Sequence, residues 1–279
     1  MSQFDYILDK INSTPFSEEP FRHLYIEDFF EEDQFQEIVD APEVKLKTVE
    51  TDDQLIEELH GHNYKSITFP GTVRDVDTYL KWHKDRQNQK NLNQDTCEGF
   101  GITFRLQKTL GESILQDIAN FFKSPTFWEC LARKFELSLE NTTTDTGLQK
   151  YLDGYEISPH PDIRRKALTF MVNINPAEGS ESIQYHTQYL KFKPEKDHIR
   201  SFWNQHPDVD RCWVPWEWCD THKQQTRNNT IVIFSPSNDT LHAIKASYNH
   251  LATQRTQYYG NLWYKESPAK SASQWRDYV

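Results

Sequence analysis

His160-Pro161-Asp162, His242 and Arg255 are the residues of this chain whose types and spacing suggest chemistry. Two imidazoles and one carboxylate form a donor set for a divalent first-row metal. With one side left open, that set suits a non-haem Fe(II) centre with positions free for a cosubstrate and O2. His160 and Asp162 are two apart, so an extended segment sends both side chains out of one face. Arg255 opens a run in which Arg255, Gln257, Tyr259 and Asn261 alternate onto one face of a strand. A guanidinium pointing into a protein interior is costly unless it meets an anion, and its planar fork matches a carboxylate. The distal carboxylate of 2-oxoglutarate would satisfy it, so the set reads as an oxygenase.

These side chains need strands and turns to hold them. His160 follows Leu148-Gln-Lys-Tyr-Leu152 and precedes the β-branched and aromatic run 167–174, which Asn175-Pro176 closes. His242 comes after the apolar strand 230–234 and the turn 235–239. The last strand is expected over 254–264. The first 140 residues differ in character. Helical periodicity over 4–11, 32–39, 75–90 and 112–122 is interrupted by a strand at 22–26. Ser124 before Pro125 caps another helix running to 135. These helices are expected to brace the strands rather than form a separate binding module.

The block Tyr151-x-x-Gly154, His160-x-Asp162, Arg165, Asn173-Ile-Asn175, Phe234-x-Pro236, His242 and Arg255 resembles the Fe(II)/2-oxoglutarate-dependent dioxygenases, in particular their prolyl-4-hydroxylase-like branch. The resemblance spans roughly residues 145 to 264. It implies that His160, Asp162 and His242 hold iron, that Arg255 binds the 2-oxoglutarate tail, and that Tyr151 and Asn173 lie beside the cosubstrate. Two positions depart from the family pattern: Gln257 stands where Ser or Thr is frequent, and Asn173 where Tyr is frequent. The fold implied is mainly β with α, a double-stranded β-helix or cupin-like jelly-roll barrel of two antiparallel sheets with N-terminal supporting helices. One domain over 1–279 is expected, with helix-rich support at 1–140, the core at 141–266 and a tail at 267–279. The activity implied is oxidative decarboxylation of 2-oxoglutarate to succinate and CO2, coupled to attack on an unactivated C–H bond. With Asp162 in the acid position no site is left for a halide, so hydroxylation or a related oxidation is expected rather than halogenation.

Other readings of these residues stay open. His206-Pro-Asp208 and His83-Lys-Asp85 repeat the short motif, and any of the histidines could be structural. Arg255 could belong to a plain salt bridge and Tyr151 to plain core. The insertion 176–229 carries Trp203, Trp213, Trp216, Trp218, Tyr185 and Tyr189. They could form a lid over the substrate, fold the insertion onto the strands or make a homodimer contact. Arg164 and Arg165 could meet an anionic substrate or be solvated. Cys212, Cys219, Asp220 and His222 could hold zinc, although six residues between the cysteines is not a usual knuckle spacing.

A net charge of −11 without a basic stripe excludes nonspecific nucleic-acid binding. Short apolar runs, no leader pattern and four scattered cysteines lead us to expect a cytoplasmic protein that does not span a membrane. A small metabolite or amino acid is the expected substrate. A protein side chain, a metal enzyme that uses no oxoacid and a catalytically silent binding protein are the alternatives.

Overall fold

The computed structural model describes residues 2–68, 73–85, 101–109 and 111–266. Its strands are β1 Leu24–Ile26, β2 Tyr64–Ser66, β3 Thr103–Leu106, β4 Thr142–Tyr151, β5 Glu156–His160, β6 Lys166–Asn173, β7 Gln188–Phe192, β8 Cys219–Gln224, β9 Thr230–Phe234, β10 His242–Lys245 and β11 Arg255–Tyr264. Its helices are α1 Tyr6–Ser13, α2 Glu32–Asp40, α3 Asp52–Gly61, α4 Val76–Asp85, α5 Ile114–Lys123, α6 Pro125–Lys134 and α7 His198–Gln205. The described part of the helix expected over 75–90 ends at Asp85. Residues 86–90, Cys97 and the tail 267–279 lie outside the described residues.

Two antiparallel sheets form the frame, and among the described residues they do not close into a barrel. The major sheet has the order β1-β9-β6-β11-β4-β3-β2, and the minor one β5-β10-β7-β8. Side-chain alternation divides the major sheet into two unlike faces. Leu168, Phe170 and Val172 of β6, Ile231 and Ile233 of β9, and Tyr258 and Leu262 of β11 pack in one apolar cluster with the helices. Ile114, Leu115, Ile118, Phe121 and Phe122 are the buried side of α5, spaced as one helical stripe. The expected cap of α6 is formed: Ser124 accepts the Phe127 N–H at 3.2 Å, with Pro125 in the first turn.

The opposite face looks toward the minor sheet. Met171, Val232, Phe234 and Tyr259 meet Tyr189 of β7 and Phe21 there. Arg255, Gln257 and Asn261 of β11 share that side with Tyr259, since alternate residues point the same way, and all are buried. The central position of β11 between β6 and β4 explains why so polar a face can be covered.

Gly260 shows how tightly the helix side of β11 is filled. A Cβ there would stand 2.2 Å from Phe170 Cε1 and 2.3 Å from its Cζ. Phe122, Phe127 and Trp128 surround the Phe170 ring and leave it no room to withdraw. Gly260→Ala is therefore expected to lower unfolding stability by about 1–3 kcal/mol, the usual range for an overpacked core. Urea denaturation measures it, and an unchanged midpoint would contradict the packing described.

The insertion supplies β7, α7 and β8. Trp203, Trp216 and Trp218 pack with Leu190, Val214, Leu241 and Ala243 on the minor sheet. Trp213 packs instead beside Tyr155, Ile157 and Ile244. Trp216 also donates through Nε1 to Glu156 at 2.8 Å. Segment 202–211, which carries His206 and Asp208, contains the end of α7. No described helix is long and apolar enough to cross a membrane.

Candidate metal and oxoacid site

Strand register brings the two histidines together. His242 lies opposite His160 in the antiparallel pairing of β10 with β5, and the ring centroids are 4.3 Å apart. His242 opens β10, past the turn that follows β9. Asp162 departs from the extended geometry expected for the HxD segment. Its φ is +62°, a left-handed conformation that Asp tolerates, just past the end of β5.

The hydrogen bonds decide what these groups can hold. His160 Nδ1 is 2.8 Å from the Ser158 carbonyl, and His242 Nδ1 is 2.9 Å from that of Thr240. A carbonyl only accepts, so each Nδ1 donates, and each neutral ring keeps a bare lone pair on Nε2. Those nitrogens lie 3.5 and 3.7 Å from the two Asp162 oxygens, too far for hydrogen bonds. Ligands bound at about 2.1 Å to one ion stand roughly 3 to 3.5 Å apart. Three buried groups that only accept converge here, and the fitting occupant is a cation. Burial and the neighbouring His160 push His242 down to about 3, which keeps it unprotonated and ready to bind metal at neutral pH.

Lys166 is the main participant that the motif did not reveal. Its ammonium lies 2.6 Å from Asp162 Oδ1 and 3.1 Å from the Tyr259 hydroxyl, and both members of the pair are 7 % exposed. Burial works to raise the Asp162 carboxyl, but the Lys166 ammonium outweighs it and holds it well below the usual carboxylate range. The second oxygen of Asp162 lies 3.1 Å from the Thr169 hydroxyl. Arg211 donates through Nε to the Asp162 carbonyl at 2.9 Å, so both side chain and backbone of the acid are held.

Arg255 lies in the wall of the same cavity, with Tyr151, Tyr155, Thr187, Gln257, Tyr259 and the three candidate ligands. It is 3 % exposed. Its Nη2 donates to Thr187 Oγ1 at 2.9 Å and to Gln257 Oε1 at 2.8 Å, and its guanidinium stands 4.4 Å over the Tyr151 ring. Among the described residues no carboxylate pairs with it. Burial lowers its affinity for a proton. Tyr151 occupies the register position opposite Arg255. Asn173 does not line the cavity: it accepts from Gln257 at 2.7 Å and donates to the Gln225 carbonyl at 2.7 Å. Its link to Arg255 runs through Gln257.

Several competing sequence readings separate here. His206 and Asp208 are exposed and join no metal-sized cluster. Cys212, Cys219, Asp220 and His222 form no such cluster among the described residues, and Cys130 and Cys219 are free thiols. Arg164 is half-buried and does not line the cavity. Its side chain donates to the carbonyls of Val209, Trp203 and His206 and so ties the insertion to the HxD turn. Arg165 donates to the Tyr264 carbonyl. Thr187, which contacts Arg255 across 68 positions, carried no local signal.

No protein-family model and no curated protein sequence matches the chain. Solved structures of low similarity include a Pseudomonas putida prolyl-4-hydroxylase, 9% identical over 93% of this chain and 98% of that one, with a TM-score of 0.43. Another is a Trichoplax adhaerens prolyl hydroxylase in complex with a hypoxia inducible factor peptide, 12% identical over 97% and 93%, with a TM-score of 0.39. HygX from Streptomyces hygroscopicus, with nickel, 2-oxoglutarate and hygromycin B bound, is 7% identical over 77% and 87%, with a TM-score of 0.32. Values this low establish neither a common fold nor a common activity, and the functional reading rests on the side chains themselves.

Proposed function

We propose that this protein is an Fe(II)- and 2-oxoglutarate-dependent oxygenase on a double-stranded β-helix scaffold, hydroxylating an unactivated C–H bond of a small metabolite or amino acid. One observation carries the reading. One cavity contains both a donor set of two imidazoles, each with Nδ1 held by a backbone carbonyl, with one carboxylate, and a guanidinium with which no carboxylate pairs among the described residues. The first calls for a cation and the second for an anion, and a metal chelated by a dicarboxylic oxoacid meets both needs.

In this reading His160, Asp162 and His242 hold Fe(II), and Arg255 takes the distal carboxylate of 2-oxoglutarate. The bound pair would activate O2 and release succinate and CO2 as substrate is oxidised. The protein's own groups position and shield. Thr187 and Gln257 aim the guanidinium, and the Ser158 and Thr240 carbonyls fix both imidazole tautomers. Lys166 holds Asp162 ionised. The cavity lining is buried, which supports a compact substrate over a protein side chain.

The test is anaerobic addition of 2-oxoglutarate to the Fe(II)-loaded protein. A weak visible charge-transfer band is expected, followed on admission of air by slow formation of succinate. Iron bound without a band or succinate would overturn the oxoacid reading and favour an oxoacid-independent metal enzyme or a binding protein.

A further inference from the structure

A second group of histidines and acids lies outside the cavity. Asp52 begins α3, His83 is on α4, Asp153 is in the turn between β4 and β5, and His250 is in the 246–254 loop before β11. Asp52, His83 and His250 are close enough to one another to hold a metal, and the imidazoles stack 4.6 Å apart. The protons argue otherwise. His83 Nδ1 lies 2.9 Å from Asp52 and its Nε2 3.3 Å from Asp153. Both ring nitrogens face carboxylates, which only accept, so both donate. His250 Nδ1 accepts the Asp153 backbone N–H at 3.0 Å, which leaves its proton on Nε2, 2.7 Å from Asp52. Protons occupy the gaps here, in contrast to the bare lone pairs around Asp162.

The cluster connects directly to the anion end of the cavity. Asp153 Oδ1 accepts the Tyr248 N–H at 3.1 Å. The Tyr248 hydroxyl donates to the Tyr151 carbonyl and accepts the Arg255 N–H, the latter at 3.0 Å. We propose that His83 is a positioning residue: as an imidazolium clamped between Asp52 and Asp153, it locks the 246–254 loop and so sets the place of Arg255 and Tyr151. The consequence for cosubstrate rests on the function proposed above; the clamp does not.

Among the described residues, the groups facing His83 fit a retained proton. Asp52 and Asp153 are the acids, His250 lies against the ring in its Nε2–H form, and Tyr79 stacks 5.6 Å away on the same helix. Burial works to lower His83, but the carboxylates outweigh it and raise the imidazole to about 9 from an ordinary value of 6.5. Its contribution to stability is therefore complete below about 6.5, declines as pH rises and is gone above about 9.

The test uses the full chain. Long-range 1H–15N histidine spectra of the wild type should show His83 protonated on both nitrogens at pH 7.5 and titrating near 9. In His83→Gln the Tyr248 and Arg255 amides should exchange faster, with protection recovered in His83→Arg. The variant should bind 2-oxoglutarate roughly 3- to 10-fold more weakly, the scale of a network mutation, with Mn(II) affinity unchanged. Wild-type affinity should fall above about pH 9, and the variant's should not. A neutral His83 at pH 7.5, unchanged exchange, or a Zn(II) equivalent lost on His83→Gln would overturn the clamp. Spectra and exchange need no cosubstrate, so a wild type that fails to bind 2-oxoglutarate would count against the proposed function alone.

Discussion

Asp162→Ala is expected to remove tight binding of Mn(II) or Fe(II) and to destabilise the fold in the same stroke. Loss of a group that merely orients a ligand costs about 10- to 100-fold in metal affinity, so loss of the ligand itself should exceed roughly 100-fold. Stability falls for a separate reason. Lys166 would keep its charge at 7 % exposure without the carboxylate 2.6 Å away. Breaking a buried pair from one side costs about 3–5 kcal/mol. The two effects come apart in Asp162→Ala/Lys166→Met, which should regain most of the stability and none of the metal affinity. Urea denaturation and Mn(II) titration by electron paramagnetic resonance read them separately. Unchanged Mn(II) affinity in Asp162→Ala would remove Asp162 from the ligand set. A double variant as unstable as the single one would mean that the pair is not the source of the loss.

Arg255→Met should weaken 2-oxoglutarate binding by roughly 100- to 1000-fold, since two charge-assisted hydrogen bonds are worth about 3–4 kcal/mol together. Mn(II) affinity should not change, because Arg255 contributes no donor atom. Stability of the unliganded protein should hold or rise. The wild type buries this cation with no carboxylate paired to it among the described residues; Thr187 and Gln257 accept from it and the Tyr151 ring lies beneath it. Calorimetric titration of the Mn(II)-loaded protein with 2-oxoglutarate measures the first effect, and thermal unfolding the second. A variant that binds the oxoacid as tightly as the wild type would refute the role given to Arg255. A marked loss of stability would instead assign the guanidinium a structural role.

Much of the frame was legible because its signals are local. The Ser124-Pro125 cap and the apolar stripe of α5 depend on neighbours within two helical turns. Alternation along β11 depends only on a period of two, so placing Arg255 and Gln257 on one face needed no knowledge of their partners. The spacing of His160 and Asp162 is visible in the sequence, but the backbone turn between them is not. An extended path looked sufficient, whereas Asp162 takes a left-handed turn that its own polar side chain tolerates.

Taken alone, the sequence determined the inventory: which residues could bind a cation or an anion, and which strands and helices could carry them. Tertiary structure alone decided the pairings. The register of β5 with β10 sets His160 against His242, Thr187 reaches Arg255 across 68 positions, and His250 reaches Asp52 across 198. It also decided where the protons are. A histidine reads the same in any sequence, but a carbonyl 2.8 Å from Nδ1 makes that nitrogen the donor in His160, and a backbone N–H at the same atom makes it the acceptor in His250. Such contacts exist only when the folded chain brings distant segments within hydrogen-bonding range, and they separate the candidate metal site from the proton clamp beside it.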